Sequence, residues 1–142
     1  MNLYKIILIT LSVSITVFSI GCKTYENLPE MAGNVDINRF MGTWYVHGYT
    51  PTALDRNAYN ATETYELDDE GRILTTYQFR KEDFDGTLKT YNPVGKVVNA
   101  ETNAEWKMRF FTVISAPYLI LYVDPDYSET LVGHPNLEMA WL

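Results

Sequence analysis

Cysteine is almost absent from this sequence, which has one, Cys22, among 142 residues. A single cysteine cannot form an internal disulfide, so a disulfide-stapled fold is excluded. A thiol enzyme is excluded as well, because Cys22 precedes every segment with a strand-like pattern. A lone thiol in an exported protein needs another explanation.

Positive charge is also scarce: 11 lysines and arginines stand against 18 acidic residues, for a net charge of −7. A nucleic-acid partner is excluded, because phosphate binding needs basic patches. The length suits one domain. Aromatic residues make up 14% of the chain, which is enough for a packed interior.

Long apolar runs are limited to one, at the N-terminus. Lys5 is followed by an uncharged, mostly apolar run from Ile6 to Ile20. This run is too short for a spanning helix, which needs about 20 apolar residues. A basic start, a short apolar core and small residues at its end indicate a secretory signal peptide over residues 1–21.

The end of this segment, Ser19-Ile20-Gly21-Cys22, fits two kinds of processing. Small residues at 19 and 21 suit an ordinary signal peptidase. Gly21-Cys22 also resembles a bacterial lipobox, although Ser19 stands where leucine is usual. The lone cysteine favours lipidation at Cys22, with residues 22–35 as the lipidated N-terminus and tether. By the same resemblance, Lys23 favours the outer membrane, because the aspartate typical of inner-membrane retention is missing.

Helical periodicity is missing from the mature chain except over residues 35–41. Short apolar runs alternate with turn signals such as "DDEG", in which Gly71 supplies a positive φ. The pattern predicts an all-β protein, an antiparallel sandwich or barrel of about eight strands. The predicted strands are 42–49, 60–67, 72–80, 87–99 (bent at Pro93 or Gly95), 105–113, 118–123, 129–133 and 138–142.

The alternation assigns faces to three of these strands. The inward sets are Ala61, Tyr65 and Leu67; Ile73, Thr75, Tyr77 and Phe79; and Trp106, Met108 and Phe110. Glu63 shares the apolar face of its strand. The strand at 118–123 is apolar on both faces, so its phase cannot be assigned.

Two segments resemble the sequence signatures of the lipocalins. "VDINRFMGTWY" is similar to the family's first signature, a short helical turn followed by Gly-x-Trp on the first strand. "YVDPDYSETLVGHP" is similar to the turn between strands six and seven, with Asp126 and Tyr127. Together with the lipobox, the chain resembles the bacterial outer-membrane lipocalins over residues 35–142. The resemblance implies an eight-stranded antiparallel up-and-down barrel over 36–142, with Trp44 packed across its closed end.

The sequence departs from the lipocalin pattern at its end. The family continues its eighth strand past Trp141-Leu142 to an arginine that stacks on the signature tryptophan, and a helix follows. We therefore expect a last strand that is cut short and no C-terminal helix, which leaves closure between the first and last strands unsettled.

The inward aromatic set is either a filled core or the wall of a cavity. Eight-stranded barrels are just wide enough for one small ligand, and the resemblance favours a bound fatty acid or lysophospholipid. We expect nine lining residues: Trp44, Glu63, Tyr65, Thr75, Tyr77, Phe79, Trp106, Met108 and Phe110. An ionised Glu63 on an apolar face is costly unless it is paired. Near the open mouth it either meets a cationic head group or donates a hydrogen bond from its protonated form. The alternative is a local bulge that turns Glu63 outward.

The sequence predicts no enzyme, no cofactor and no metal site. His47 falls on the outward parity and His134 lies in a turn. We expect a monomer or weak homodimer, anchored to the bacterial outer membrane on its periplasmic face, that stores or transfers lipid. The competing hypothesis is an envelope interaction module with a filled barrel that binds a protein partner.

Overall fold

The computed structural model describes residues 25, 27–111 and 114–142. The predicted signal peptide (1–21) and the lipidation site Cys22 lie outside the described residues. The helix and strands are α1 (Ile37–Phe40), β1 (Gly42–Tyr45), β2 (Ala58–Leu67), β3 (Ile73–Lys81), β4 (Leu88–Tyr91), β5 (Val94–Val97), β6 (Glu105–Phe110), β7 (Ile114–Val123), β8 (Thr130–Gly133) and β9 (Ala140–Trp141).

The strands form one antiparallel sheet in which sequence neighbours pair, in the order β1-β2-β3-β5-β6-β7-β8-β9. β4 and β5 are two halves of one barrel strand, because both pair with β3. The break falls at Asn92-Pro93, where proline has no N–H for the ladder. The predicted all-β barrel is therefore confirmed, with its fourth strand bent at Pro93.

The sheet closes on itself through the residues that follow β1. Tyr49 forms a bridge with Trp141, the Leu142 amide donates to the Gly48 carbonyl at 2.8 Å, and the Thr50 amide donates to the Ala140 carbonyl at 2.9 Å. The segment that follows β1 therefore pairs with the end of the chain at β9, which settles the closure that the sequence left open. Pairing these edges removes part of the open edge of the sheet.

One end of the barrel is closed by α1 and by the turn before β8. Asp36 caps the helix, since its carboxylate accepts from the amides of Asn38 and Arg39. The Arg39 guanidinium lies 4.2 Å from the centroid of the Tyr127 ring. The Tyr127 hydroxyl in turn accepts from the Asp36 amide at 2.7 Å. The two lipocalin-like segments are thus in direct contact at the closed end.

The closed end holds the main core. Phe40, Tyr65 and Trp106 are buried and their rings pack at 5.3–5.8 Å. Trp44 lies on this cluster, 5.0 Å from the Phe40 ring, and its indole N–H donates to the Phe40 carbonyl. The placement of Trp44 across the closed end agrees with the lipocalin pattern.

The predicted inward faces are largely observed. All four inward residues of β3 are buried, as are Trp106 and Met108 on β6. Leu67 is the exception: it is 43% exposed, because it ends β2 beside the charged turn at 68–72. No helix among the described residues has the length and apolar character needed to cross a membrane.

Described residues of the segment that precedes the barrel form hydrogen bonds with it. The Ala32 amide donates to the Ile120 carbonyl at 3.0 Å, and the Val35 amide donates to the Thr102 carbonyl at 2.8 Å. Val35 is fully buried. Further upstream, the Tyr25 hydroxyl lies 3.2 Å from His134 Nε2. This segment therefore packs along the barrel wall.

Candidate ligand-binding site

A cavity of about 220 Å³ occupies the barrel between its middle and its open end. Its wall is mostly apolar, with a few polar groups and the lid residues of loop 50–57. The lining residues are Thr52, Leu54, Asp55, Glu63, Tyr65, Thr75, Tyr77, Pro93, Met108, Phe110, Ala116, Pro117, Tyr118, His134, Met139 and Trp141. A pocket of this composition, with few polar groups on an apolar wall, is typical of small-molecule sites.

A second hollow, of about 470 Å³, lies between β1 and β8 beside Trp44. β9 is two residues long, and its pairing with β8 is limited to Val132 and Gly133. The ends of β1 and β8 nearest the helix are therefore not bridged by β9. This lateral hollow shares Glu63, Tyr65, Tyr118 and Trp141 with the inner cavity.

The nine residues predicted to line the pocket divide into three groups. Trp44 lines the lateral hollow. Phe79 and Trp106 line neither space and are packed in the core. The other six line the inner cavity: Glu63, Tyr65, Thr75, Tyr77, Met108 and Phe110.

Glu63 lies midway along the barrel, where it pairs with Trp44 on β1 and Tyr77 on β3. β2 does contain a bulge, between Tyr59 and Thr62, but it lies upstream of Glu63. The Glu63 side chain still points into the barrel and lines both hollows. The bulge therefore does not turn Glu63 outward, and the carboxyl is deeper than the mouth position that we expected.

Two tyrosine hydroxyls stabilise the Glu63 carboxyl. Tyr65 donates to Glu63 Oε2. The Tyr118 hydroxyl lies 2.6 Å from the Tyr65 hydroxyl and 3.3 Å from the same carboxyl oxygen. Burial raises the pKa of Glu63, although the two tyrosine hydrogen bonds oppose part of that rise and the charge of Asp55 adds to it. Burial likewise raises the pKa of Tyr65 and Tyr118 well above the usual tyrosine range, so both stay protonated donors.

A second buried carboxyl, Asp55, belongs to the loop over the open end. Asp55 is 2% exposed. Its Oδ1 accepts from the amide and the hydroxyl of Thr52, both at 2.7 Å, and its Oδ2 accepts from the Tyr77 hydroxyl at 3.1 Å. These bonds hold loop 50–57 against the barrel and make it a lid over the cavity.

Several lining residues could not be identified from the sequence. No pattern shows that Tyr118 faces inward, because its strand is apolar on both faces. No pattern places Asp55 at the cavity, because it lies in a loop. His134 was placed in a turn, and the structure puts that turn at the open end, where His134 Nδ1 lies 2.7 Å from the Asn136 amide oxygen. In the part of the chain that the structure describes, no three metal-ligating side chains come together.

Comparison with known families agrees with this geometry. A family model described as a lipocalin-like domain matches residues 35–142. The chain belongs to the lipocalin family. Its barrel also superimposes on solved lipocalin-fold structures, among them insecticyanin from the tobacco hornworm Manduca sexta. That match has a TM-score of 0.63 at 15% identity and covers 82% of this chain and 67% of the other.

Among curated relatives, this lipocalin is 26% identical to Temperature-induced lipocalin-1 of Arabidopsis thaliana over 125 residues. That match covers 80% of this chain and 64% of the relative. It is 25% identical over 123 residues to the Outer membrane lipoprotein Blc of Vibrio cholerae, covering 86% and 71%. The Blc protein of Escherichia coli K12 is 26% identical over 112 residues, covering 79% and 63%. The chain thus spans about two thirds of the length of these relatives.

Proposed function

We propose that this lipocalin holds a single-chain lipid, a fatty acid or a lysophospholipid, inside its barrel, and that it stores or transfers that lipid in the cell envelope. One observation carries the proposal: the barrel interior contains an apolar cavity of about 220 Å³ that side chains do not fill. A filled barrel serving only as a protein-interaction module would have no such space.

The cavity sets the length of alkyl chain that fits. A cavity of roughly 150 Å³ takes benzene, so this one accommodates roughly nine non-hydrogen atoms. Longer chains must continue through the open end or into the lateral hollow. Each buried methylene contributes about 0.8 kcal/mol, so affinity should rise about fourfold per methylene until the inner cavity is full.

The proposed place of action is the outer membrane. Two of the similar proteins carry the printed name outer membrane lipoprotein. In this chain the lipobox-like Gly21-Cys22 would supply the anchor. Acyl chains on Cys22 would contribute about 0.8 kcal/mol for each methylene buried in the bilayer. We expect the periplasmic face, and either a monomer or a weak homodimer.

The test is titration of the delipidated protein with alkyl amphiphiles of increasing chain length, followed by tryptophan fluorescence. Ala116→Leu should weaken binding of an eight-carbon amphiphile at least tenfold, because about three carbons of cavity volume are lost. Ser115→Leu is the matched control, since Ser115 is exposed on the outer face. Equal binding by both variants, or no saturable change with any amphiphile, would support the filled-barrel alternative.

A further inference from the structure

We propose that Glu63, Tyr65, Tyr118 and Thr75 form a polar subsite in the middle of the barrel that binds a primary ammonium group and disfavours a carboxylate. This inference rests on the proposed function, because the rest of the ligand would occupy the apolar cavity. It narrows the ligand class to single-chain amphiphiles with an ammonium end.

The first observation is that one oxygen of the Glu63 carboxyl accepts no hydrogen bond from the described residues. Both tyrosine hydrogen bonds to Glu63 end on Oε2. Among the described residues, Oε1 of the same carboxyl has no hydrogen-bond partner. A carboxyl oxygen that has no donor in the protein can accept a hydrogen bond, so Oε1 is available to a donor that enters the cavity.

The second support is Thr75, which is 4% exposed. Its hydroxyl is buried with no hydrogen-bond partner in the described structure, and an unsatisfied buried hydroxyl is costly. Thr75 pairs with Tyr65 across β2 and β3, so it lies diagonally opposite Glu63 on the inward face. Side chains in that relation are about 7–8 Å apart at the backbone, which leaves room for one ligand group between them.

The third support is the charge of the cavity wall. The lining residues include two carboxyls, Asp55 and Glu63, and neither lysine nor arginine. His134 lies at the rim, beside Tyr25 and Asn136. In their ionised forms, these two carboxyls would repel a carboxylate in a region of low dielectric and attract an ammonium. An ammonium has three donors, which suits Glu63 Oε1 and the Thr75 hydroxyl.

The experiment compares octylamine, octanol and octanoate, which share one chain and differ in the polar end. We expect octylamine to bind at least tenfold more tightly than octanoate. Glu63→Gln should abolish that preference, and Thr75→Val should weaken octylamine about fivefold. Glu66→Gln, on the exposed face of the same strand, should change nothing. Two lysophospholipids extend the comparison to lipid head groups, because lysophosphatidylethanolamine carries N–H donors and lysophosphatidylcholine does not.

The outcomes distinguish the two proposals. If octanoate binds the wild type as tightly as octylamine, the ammonium subsite is wrong and the lipid-binding function stands. If no amphiphile binds the folded protein, both are wrong. The wild-type comparison decides the matter even if Glu63→Gln fails to fold.

A second, independent observation concerns the outer surface of the barrel. We infer that the open end rests on the lipid bilayer that holds the anchor. Apolar side chains are exposed on each of the four loops at this end: Leu54, Phe84, Phe111 and Leu137. The turns at the opposite end, 68–72, 98–104 and 124–129, are mostly polar or acidic, although Val98 is exposed there.

The path of the chain favours the bilayer as the partner. Tyr25 contacts His134 at the open end, with ring centroids 5.4 Å apart. Cys22 precedes Tyr25 by three residues, and a chain of that length spans at most about 11 Å. A lipid on Cys22 would therefore enter the membrane beside the open end and not beside the helix.

A spin label on a new cysteine tests this orientation, because a lipidated Cys22 has no free thiol. In vesicles of phosphatidylethanolamine and phosphatidylglycerol, a label on Phe84→Cys should contact the bilayer, and one on Glu70→Cys should remain in water. Power saturation with oxygen and a nickel chelate reports both positions. Attached protein with both labels in water would overturn the orientation. Protein that does not attach would overturn the anchor instead.

Discussion

Glu63 illustrates how a carboxyl is kept inside an apolar barrel. Strand parity predicted its inward face from the sequence alone, since Ala61 and Tyr65 flank it at a spacing of two. Its depth and its partners could not be predicted. Tyr118 is 55 residues away, on a strand whose phase has no polar marker, so only the pairing of β6 with β7 reveals that it faces Glu63.

The raised pKa of Glu63 implies that the stability of the protein depends on pH. Folding favours the protonated carboxyl, so the stability that it contributes is complete below the unfolded-state pKa and is lost as pH rises through the folded-state pKa. Glu63→Gln cannot ionise. We expect the free energy of unfolding of Glu63→Gln, relative to that of the wild type, to increase with pH across that window and then to level off.

Urea unfolding from about pH 3 to pH 9 measures this difference. Burial keeps the neighbouring Tyr65 and Tyr118 hydroxyls protonated over this range. Glu66→Gln should track the wild type at every pH, because Glu66 is exposed. A stability difference that does not change with pH would contradict the assignment.

At the scale of the element, the strands were predictable and the lid was not. Period-two patterns placed β2, β3 and β6 within two or three residues of their observed bounds, because one face of each is buried. The first strand is shorter than the predicted 42–49, since β1 ends at Tyr45. Loop 50–57 depends on Asp55 bonding to Tyr77, a contact across 22 residues that no local pattern records.

Removing the Tyr77 hydroxyl should loosen the lid. Tyr77→Phe leaves Asp55 with its bonds to Thr52 only, and loss of a partner from a buried charged group costs about 1–3 kcal/mol. Hydrogen exchange should accelerate at the amides of loop 50–57. Tyr45→Phe removes an exposed hydroxyl and serves as the control. Unchanged exchange in both variants would show that Tyr77 does not hold the lid.

At the scale of the molecule, the barrel depends on short pairings at its seam. Residues 47–50 bond to 140–142 through backbone groups, and the Trp141 side chain packs against the core cluster. The order of the strands followed from their sequence and from the lipocalin resemblance. The closure did not, because the pairing of residues 47–50 with 140–142 joins distant parts of the chain and leaves no local pattern.

Trp141→Ala should therefore weaken the seam. Losing a partly buried indole costs about 2–3 kcal/mol, which lowers the thermal midpoint by roughly 6–12 °C for a chain of this size. Leu142→Ala is the control, because the Leu142 side chain is exposed while its backbone makes the closing bonds. Equal midpoints for the two variants would mean that Trp141 packing contributes nothing to closure.

The proposed lipid anchor determines the cell fraction in which we expect to find the protein. Cys22→Ser should move the protein from the membrane fraction to the soluble periplasm, because no other acyl attachment site follows the signal segment. Mass spectrometry of the wild type should show acyl groups on Cys22. A serine variant that stays in the membrane pellet, beside a wild type without acyl mass, would contradict lipidation.

Anomalous diffraction can locate an amphiphile within the inner cavity. Crystals soaked with 8-bromooctylamine should show a bromine peak within the wall formed by Met108, Phe110 and Pro117. We expect that peak in wild-type crystals and its loss in Ala116→Leu. Bromine only on the outer surface, or only in the lateral hollow beside Trp44, would contradict it.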